Sequence, residues 1–407
     1  MLELHKLGER AGHVEEIWNY KANSSILHSP KIADIDGDGK QEIIFGTKNG
    51  TITVMDTDGR IKWEFSIANT YSDSERMFLD AETTNSITAT PAVEDINFDG
   101  KKEILFGTED GMLRVLSSVG KELWTFKTAG AIRGSPTVQL FANKQAGIVV
   151  ASADKNIYFL AGDGRMYWKF TAPQSIEAAP AIIQGKELMI ICGSNDGTIY
   201  CLNMQGKCVW TYKTGNKVIA QGASIRTADL TKIIIGSTDG TLYCIDEFGR
   251  LIWQHHTNGA ILSKAVIDDI NNDGMNEIVF GSCDNCVHVL DSDGKELWKF
   301  ETDFWIGTSP IVIDIDGDGK KEIIIGSYDH TMYIIDTEGT YLLDYMPGVS
   351  GIIGQYTEGI SRQPGKTVGK KIWQYQTDGI IVGCEPAGST IMVAIESGNM
   401  IGLVYKK

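Results

Sequence analysis

Residues 309–327 read Ser-Pro-Ile-Val-Ile-Asp-Ile-Asp-Gly-Asp-Gly-Lys-Lys-Glu-Ile-Ile-Ile-Gly-Ser. Two runs of β-branched residues flank an acidic turn, the pattern of two strands joined by a short connection. Within the turn Asp314, Asp316, Asp318 and Glu322 stand at positions 1, 3, 5 and 9, with Gly319 at position 6 and Lys320 at position 7. Alternate side chains on so tight a loop converge on one point. A hard cation needs several oxygen ligands at about 2.3 to 2.6 Å, and glycine permits the turn that gathers them. The stretch is expected to be a hairpin whose tip binds Ca2+ through Asp314, Asp316, Asp318, Lys320 and Glu322.

The spacing returns three times: Asp34, Asp36, Asp38, Lys40, Glu42; Asp95, Asn97, Asp99, Lys101, Glu103; and Asp269, Asn271, Asp273, Met275, Glu277. One acidic turn is commonly just a solvated turn. Four turns, each preceded by an apolar run and followed by Glu-Ile and a second apolar run, predict four calcium sites. Nine positions between strands, rather than twelve between helices, resemble the FG-GAP calcium loops of integrin-type β-propellers.

A second pattern runs through the whole chain: Gly-Thr/Ser-x-Asp-Gly-x-Leu-x-x-Leu-Asp-x-x-Gly-Lys-x-x-Trp-x-Phe, with tryptophan at Trp63, Trp124, Trp168, Trp210, Trp253, Trp298 and Trp373. The central spacings of 44, 42, 43 and 45 residues, each holding four short strand patterns (A to D), are those of propeller blades. The final unit, residues 380–407, supplies three strands. The segment 14–20 has the D-strand pattern, with Trp18 in the tryptophan slot. It is expected to complete that last blade and close the ring, covering an edge that would invite aggregation. The prediction is an all-β, single eight-bladed propeller spanning 1–407, with seven blades as the alternative count. Insertions fall at 66–86, between blades 1 and 2, and at 340–370, in blade 7. There the D strand is either 341–345 by spacing or 371–376 by its tryptophan, which is preferred. The tryptophan pattern resembles the docking motif of quinoprotein (PQQ) dehydrogenase propellers and of the propeller lipoproteins of the bacterial outer-membrane assembly machine. That resemblance implies fold and inter-blade packing, and fold alone does not imply function.

The net charge of −16 opposes a phosphate-tracking nucleic-acid surface. Fourteen carboxylates of the four loops account for much of it, and four bound Ca2+ would bring it to about −8. Seven cysteines, odd in number and scattered through apparent strands, are not a disulfide framework and favour a reducing compartment. As written the chain reads as cytoplasmic, monomeric and without a membrane span or leader. An extracytoplasmic site remains the alternative if a leader has been removed, since calcium loops of this kind are at home where Ca2+ is millimolar.

The A–B and C–D connections share one face of a propeller, so the calcium loops lie there as staples. The D–A and B–C connections share the other face, where the residues just ahead of each A strand are expected to ring the channel mouth. They are His28, Thr88, Arg133, Glu177, Gln221, Lys264, Thr308, Cys384 and Glu385. Unlike the small residues Ala89, Gly134 and Ala178, these differ from blade to blade, as a binding pocket would require and as solvent-facing variation also allows. Tyr71, Met77 and Phe78 of the first insertion could cover them. Cys283-Asp-Asn-Cys286 supplies two thiols flanking a turn, half of what structural zinc usually takes, so reduced or incidentally paired cysteines are the plain reading. No GxSxG elbow, HExxH or GxGxxG fingerprint is present, and Pro364-Gly-Lys-Thr lacks the first glycine of a phosphate loop. The expectation is a calcium-stabilised, non-catalytic module binding a protein, peptide or glycan. The alternative is an enzyme (lyase, hydrolase or oxidoreductase) with Arg133 and Lys264 as anion stabilisers and Glu177, Glu385 or His28 as acid/base groups. A PQQ-dependent dehydrogenase is disfavoured, because there is no vicinal cysteine pair and no recognisable cofactor constellation.

Overall fold

The computed structural model describes residues 12–70, 84–227, 230–341 and 367–406. They form eight antiparallel sheets of four strands each, with strands in sequence order within every sheet but one. Blade 1 comprises Lys31–Ala33, Glu42–Gly46, Thr51–Asp56 and Ile61–Ser66 as its A to D strands. The same succession repeats from Ala92–Glu94 to Glu122–Lys127 (blade 2), Thr137–Phe141 to Met166–Thr171 (blade 3) and Ala181–Gln184 to Cys208–Lys213 (blade 4). Blades 5, 6 and 7 run from Ala223–Arg226 to Leu251–His256, Val266–Asp268 to Glu296–Glu301 and Ile311–Ile313 to Thr367–Gln376. A single 3-10 turn, Ile67–Thr70, is the longest helical stretch among the described residues.

The exception is blade 8. Its A, B and C strands are Ile381–Ala387, Thr390–Ile395 and Asn399–Lys406, and its outer strand is His13–Lys21 from the other end of the chain. The two pair antiparallel from His13↔Lys406 to Lys21↔Asn399. The ring therefore closes as expected, with eight blades.

Burial follows from sandwiching each sheet between two neighbours. The B strand Glu-Ile-Ile-Phe-Gly of blade 1 is buried at all five positions, because both faces of an inner strand are covered. Such strands read as continuous apolar runs rather than alternations. D strands lie at the rim and alternate, as Glu122–Lys127 does. The core is accordingly a series of clusters between adjacent blades, such as Ile44, Ile52 and Val54 of blade 1 against Val93, Ile104 and Phe106 of blade 2.

The tryptophans are the joints of the ring. In five blades the indole Nε1–H donates to a carbonyl in the C–D turn of the next blade: Trp63 to Ser118 (3.0 Å), Trp124 to Gly162 (3.0 Å), Trp168 to Met204 (2.9 Å), Trp210 to Glu247 (3.0 Å) and Trp253 to Ser292 (3.3 Å). Trp18 does the same across the closure, to Thr57 O at 2.9 Å. A buried indole N–H thus gains a partner while the ring supplies apolar area. Trp298 and Trp373 make no such bond among the described residues. Trp298 faces blade 7, whose C strand runs on to Tyr341 instead of turning, and Trp373 faces the seam of blade 8, packing against Tyr405 at 4.8 Å.

Candidate functional site

The eight A strands surround a channel of about 980 Å³. Its wall is set by the residue directly ahead of the proline slot and those that follow, which brings Gln221, Lys264, Cys384 and Glu385 of the expected ring into the lining. Lys31 and Glu94 join them. Lys264 reaches channel water yet lies inside the ring, and burial, followed by repulsion from Lys31, lowers its pKa while Glu385 opposes the change. Burial raises the pKa of Glu385, against the attraction of Lys31 and Lys264. The result is a carboxyl and two ammonium groups that interact across the channel. Gln221 spends its amide N–H on Pro180 O at 2.9 Å, and burial pushes the Cys384 thiol up to about 12.

The other expected members are elsewhere. Two residues ahead of the slot, the chain turns into the interface between blades. Thr308 Oγ1 there donates to Gly326 O at 2.8 Å, and His28 is buried with Nδ1 2.8 Å from Ser29 O. Burial drops His28 to about 4, so it is neutral near pH 7. Three residues ahead, side chains leave the channel for the surrounding face. Arg133 is held there by both oxygens of Glu109 (2.8 and 2.8 Å) and by Glu177 Oε1 (3.0 Å), and these hydrogen bonds hold its pKa well above the usual range. Arg133 and Glu177 thus satisfy each other. Thr88 occupies the equivalent place in blade 2, with its hydroxyl buried and without a hydrogen-bond partner among the described residues. Tyr71, Met77 and Phe78 lie outside the described residues, as do 342–366 of the second insertion.

Phe304 and Trp305 were not anticipated. They sit in the D–A loop entering blade 7, stacked with their planes 14° from parallel and ring centres 5.2 Å apart, and 47% and 48% exposed. Ser327 Oγ donates to Phe304 O at 3.2 Å and Tyr328 N to Trp305 O at 2.9 Å, which anchors both residues to the adjacent B–C turn. The signal lay in the repeat: the matching residues are Gly130-Ala131 in one loop, Asn216-Lys217 in another and Gly259-Ala260 in a third.

The four acidic loops share one conformation. Each position-1 carboxylate accepts the amide of the position-6 glycine, at 2.9, 2.9, 2.8 and 2.9 Å for Asp34, Asp95, Asp269 and Asp314. Each position-9 glutamate accepts the amide of position 2, as Glu42 does from Ile35 at 3.0 Å. Oxygens that each lie about 2.4 Å from one Ca2+ are at most about 4.8 Å apart. Asp34, Asp36 and Glu42 meet that limit, as do Asp314, Asp316 and Glu322, so the donors fit the ion. Lys62 Nζ stands 2.9 Å from Asp36 and 2.7 Å from Glu42, a cation between two of the same carboxylates. In blade 2, burial and then Asp99 and Asp95 push Glu103 up to about 7. Cys283 and Cys286 are free thiols, half-buried and buried.

Solved structures of similar fold include BamB from Moraxella catarrhalis (16% identity over 97% of this chain and 98% of that one, TM-score 0.64). The computationally designed Ika8 protein matches at 14% identity over 96% and 100%, TM-score 0.67, and BBS1N in complex with ARL6DN at 14% over 78% and 91%, TM-score 0.52. At such identities the likeness is one of fold. No curated protein matches. The model of the lambda-carrageenase beta-propeller domain matches residues 12–75, 92–174, 185–251 and 232–344, more than half of the sequence, and the chain belongs to that family.

Proposed function

We propose that this propeller is a non-catalytic binding module for an anionic polysaccharide, taken on the face where the D–A and B–C loops gather. The observation that carries the reading is the exposed Phe304–Trp305 pair. Aromatic rings have electron-rich faces that attract the weakly positive axial C–H groups of a pyranose, and a stacked pair of half-exposed rings offers its outer face to one sugar. Exposed apolar area gathered in one place, unlike residues scattered singly, is a feature of interaction surfaces. Lys264, in the adjacent blade, and Lys31 supply positive charge from the channel wall. The family's name, taken from an enzyme that acts on carrageenan, agrees with a charged glycan.

A catalytic reading uses the same channel: Glu385, its pKa raised, as a proton donor and Lys264, its pKa lowered, as a base. Incubation of the full chain with carrageenan, followed by a reducing-end assay and affinity electrophoresis, separates the two. Retardation without new reducing ends is expected. Phe304→Ala and Trp305→Ala should each weaken retention roughly tenfold. Unchanged retention in both would move the site off this face, and new reducing ends that vanish in Glu385→Gln would make the chain an enzyme.

The reading includes Ca2+ in the four A–B loops, as ties that fix hairpins. It is supported by their common conformation, by the fit of the oxygens in the loops of blades 1 and 7 and by their resemblance to FG-GAP loops.

A further inference from the structure

Blades 5 and 6 meet at a place where the repeat is broken twice. Two residues after its tryptophan, every other D strand carries an aromatic residue, among them Tyr20, Phe65, Phe126 and Tyr212; blade 5 carries His255. At the third residue of the C strand, blades 3, 4, 5 and 7 carry tyrosines whose hydroxyls donate to the aspartate of the B–C turn, as Tyr243 does to Asp239 at 2.7 Å. Blade 6 carries His288 there, with Nε2 3.1 Å from Asp284 Oδ2. Beside them stands Glu296, first residue of the D strand, a position that is also glutamate in blade 2. Its Oε2 lies 3.2 Å from His288 Nδ1 and 3.6 Å from His255 Nε2.

Blade 2 shows what these positions do as an ordinary contact. Glu122 and Arg114, at the places of Glu296 and His288, form one ion pair at 2.7 Å, and the neighbouring D strand presents Phe65. In blade 6 a single carboxylate faces two imidazoles instead. His255 Nε2 is buried and has no hydrogen-bond partner among the described residues, since 3.6 Å to the carboxylate is beyond hydrogen-bond length. Phe280 stacks on His288 at 5.1 Å and 12°, giving the cluster an apolar wall.

We propose that His255, His288 and Glu296 form a binding site for one divalent transition-metal ion, of which zinc suits the set best. Two imidazole nitrogens and a carboxylate oxygen are zinc ligands at about 2.0 to 2.2 Å, which separates neighbouring donors in a tetrahedron by about 3.3 Å. Two of the three separations are already 3.2 and 3.6 Å, and all three donors lie within 4.8 Å of one another. Asp284, hydrogen-bonded to Nε2 of His288, turns its Nδ1 toward the ion, as an outer carboxylate commonly does for a ligating histidine. His288 is buried, while Glu296 is 28% exposed. A water on that side completes the four. The acidic loops offer only oxygens and select a hard cation, so the two classes of site are chemically distinct.

The test is a zinc titration of the full chain already saturated with Ca2+, by calorimetry, with Co2+ absorption as a second readout. One zinc per chain and the intense visible bands of tetrahedral Co2+ are expected. His255→Phe and His288→Tyr restore what other blades carry and should fold. Each should weaken zinc binding at least about 100-fold, as should Glu296→Gln. Cys286→Ser should bind as the parent does. Absence of zinc binding, or parental affinity in both histidine variants, overturns the site and leaves an Asp284–His288–Glu296 ion triad. Loss of zinc in Cys286→Ser overturns this ligand set in favour of Asp284, Cys286 and His288.

Discussion

Gly59 and Gly388 share a left-handed backbone, with φ of +83° and +62°, and differ in their surroundings. A methyl group on Gly388 would meet nothing within 4 Å, whereas one on Gly59 would lie 2.7 Å from the Trp18 indole. Gly388→Ala should therefore lose only the cost of the backbone, about 1 kcal/mol, and Gly59→Ala roughly 2 to 4 kcal/mol because the closing indole must also move. Urea unfolding midpoints of the two variants check the difference. His28 gives a pH signature. Its folded pKa of about 4 lies below the unfolded value near 6.5, so the unfolded chain binds the extra proton first as pH falls. Its contribution to stability is whole above pH 6.5 and declines toward pH 4, by about 3 kcal/mol over the window. His28→Thr, which copies Thr308 of blade 7, should flatten the acid limb of a melting-temperature profile relative to the parent. Equal slopes would mean that His28 is protonated in the fold. The sequence marked His28 as variable from blade to blade but did not reveal which way it points. A shift of one position in the turn separates the channel wall, occupied by Lys264, from the blade interface that holds His28 and Thr308.

At the scale of elements, tryptophan spacing and apolar runs were legible because both follow from burial on two faces, which the repeat imposes blade after blade. The D strand of blade 7 was legible in the same way: Trp373 lies in Thr367–Gln376, paired with the long C strand Thr331–Tyr341. Less legible was the stacked Phe304–Trp305 pair, which no packing rule demands and which appears only as a departure from the repeat. Removing residues 1–22 should take away the outer strand of blade 8 and the Trp18 joint together, exposing the edge of Asn399–Lys406. Size-exclusion chromatography is expected to show aggregation, and a monomer with the parental melting temperature would contradict the role of that strand. The A–B loops make a separate prediction. Chelation should lower the melting temperature, since a ligand of the folded state stabilises in proportion to the logarithm of its concentration over Kd. Asp316→Ala should reduce bound calcium by one equivalent in metal analysis, with Lys62→Met leaving the count unchanged or raising blade 1's affinity. Full occupancy in Asp316→Ala would remove that loop from the set.

For the whole molecule, the repeat prescribes nearly everything that is common to the blades and little of what is particular to one. Lys31, Lys264 and Glu385 come from blades 1, 6 and 8, and no spacing in the sequence announces that they interact across the channel. The His255, His288 and Glu296 cluster likewise joins two blades and escapes any motif written along one strand. The closing strand pair has a mechanical side. Because His13 pairs with Lys406 and the two strands run antiparallel, whatever precedes the one and follows the other departs from the same end of the same ladder. Tension applied through both would load its hydrogen bonds one after another, like a zip, rather than all together in shear. Held by its two flanks the ring is a low-force latch. Held by any other pair of blades it resists as a closed hoop.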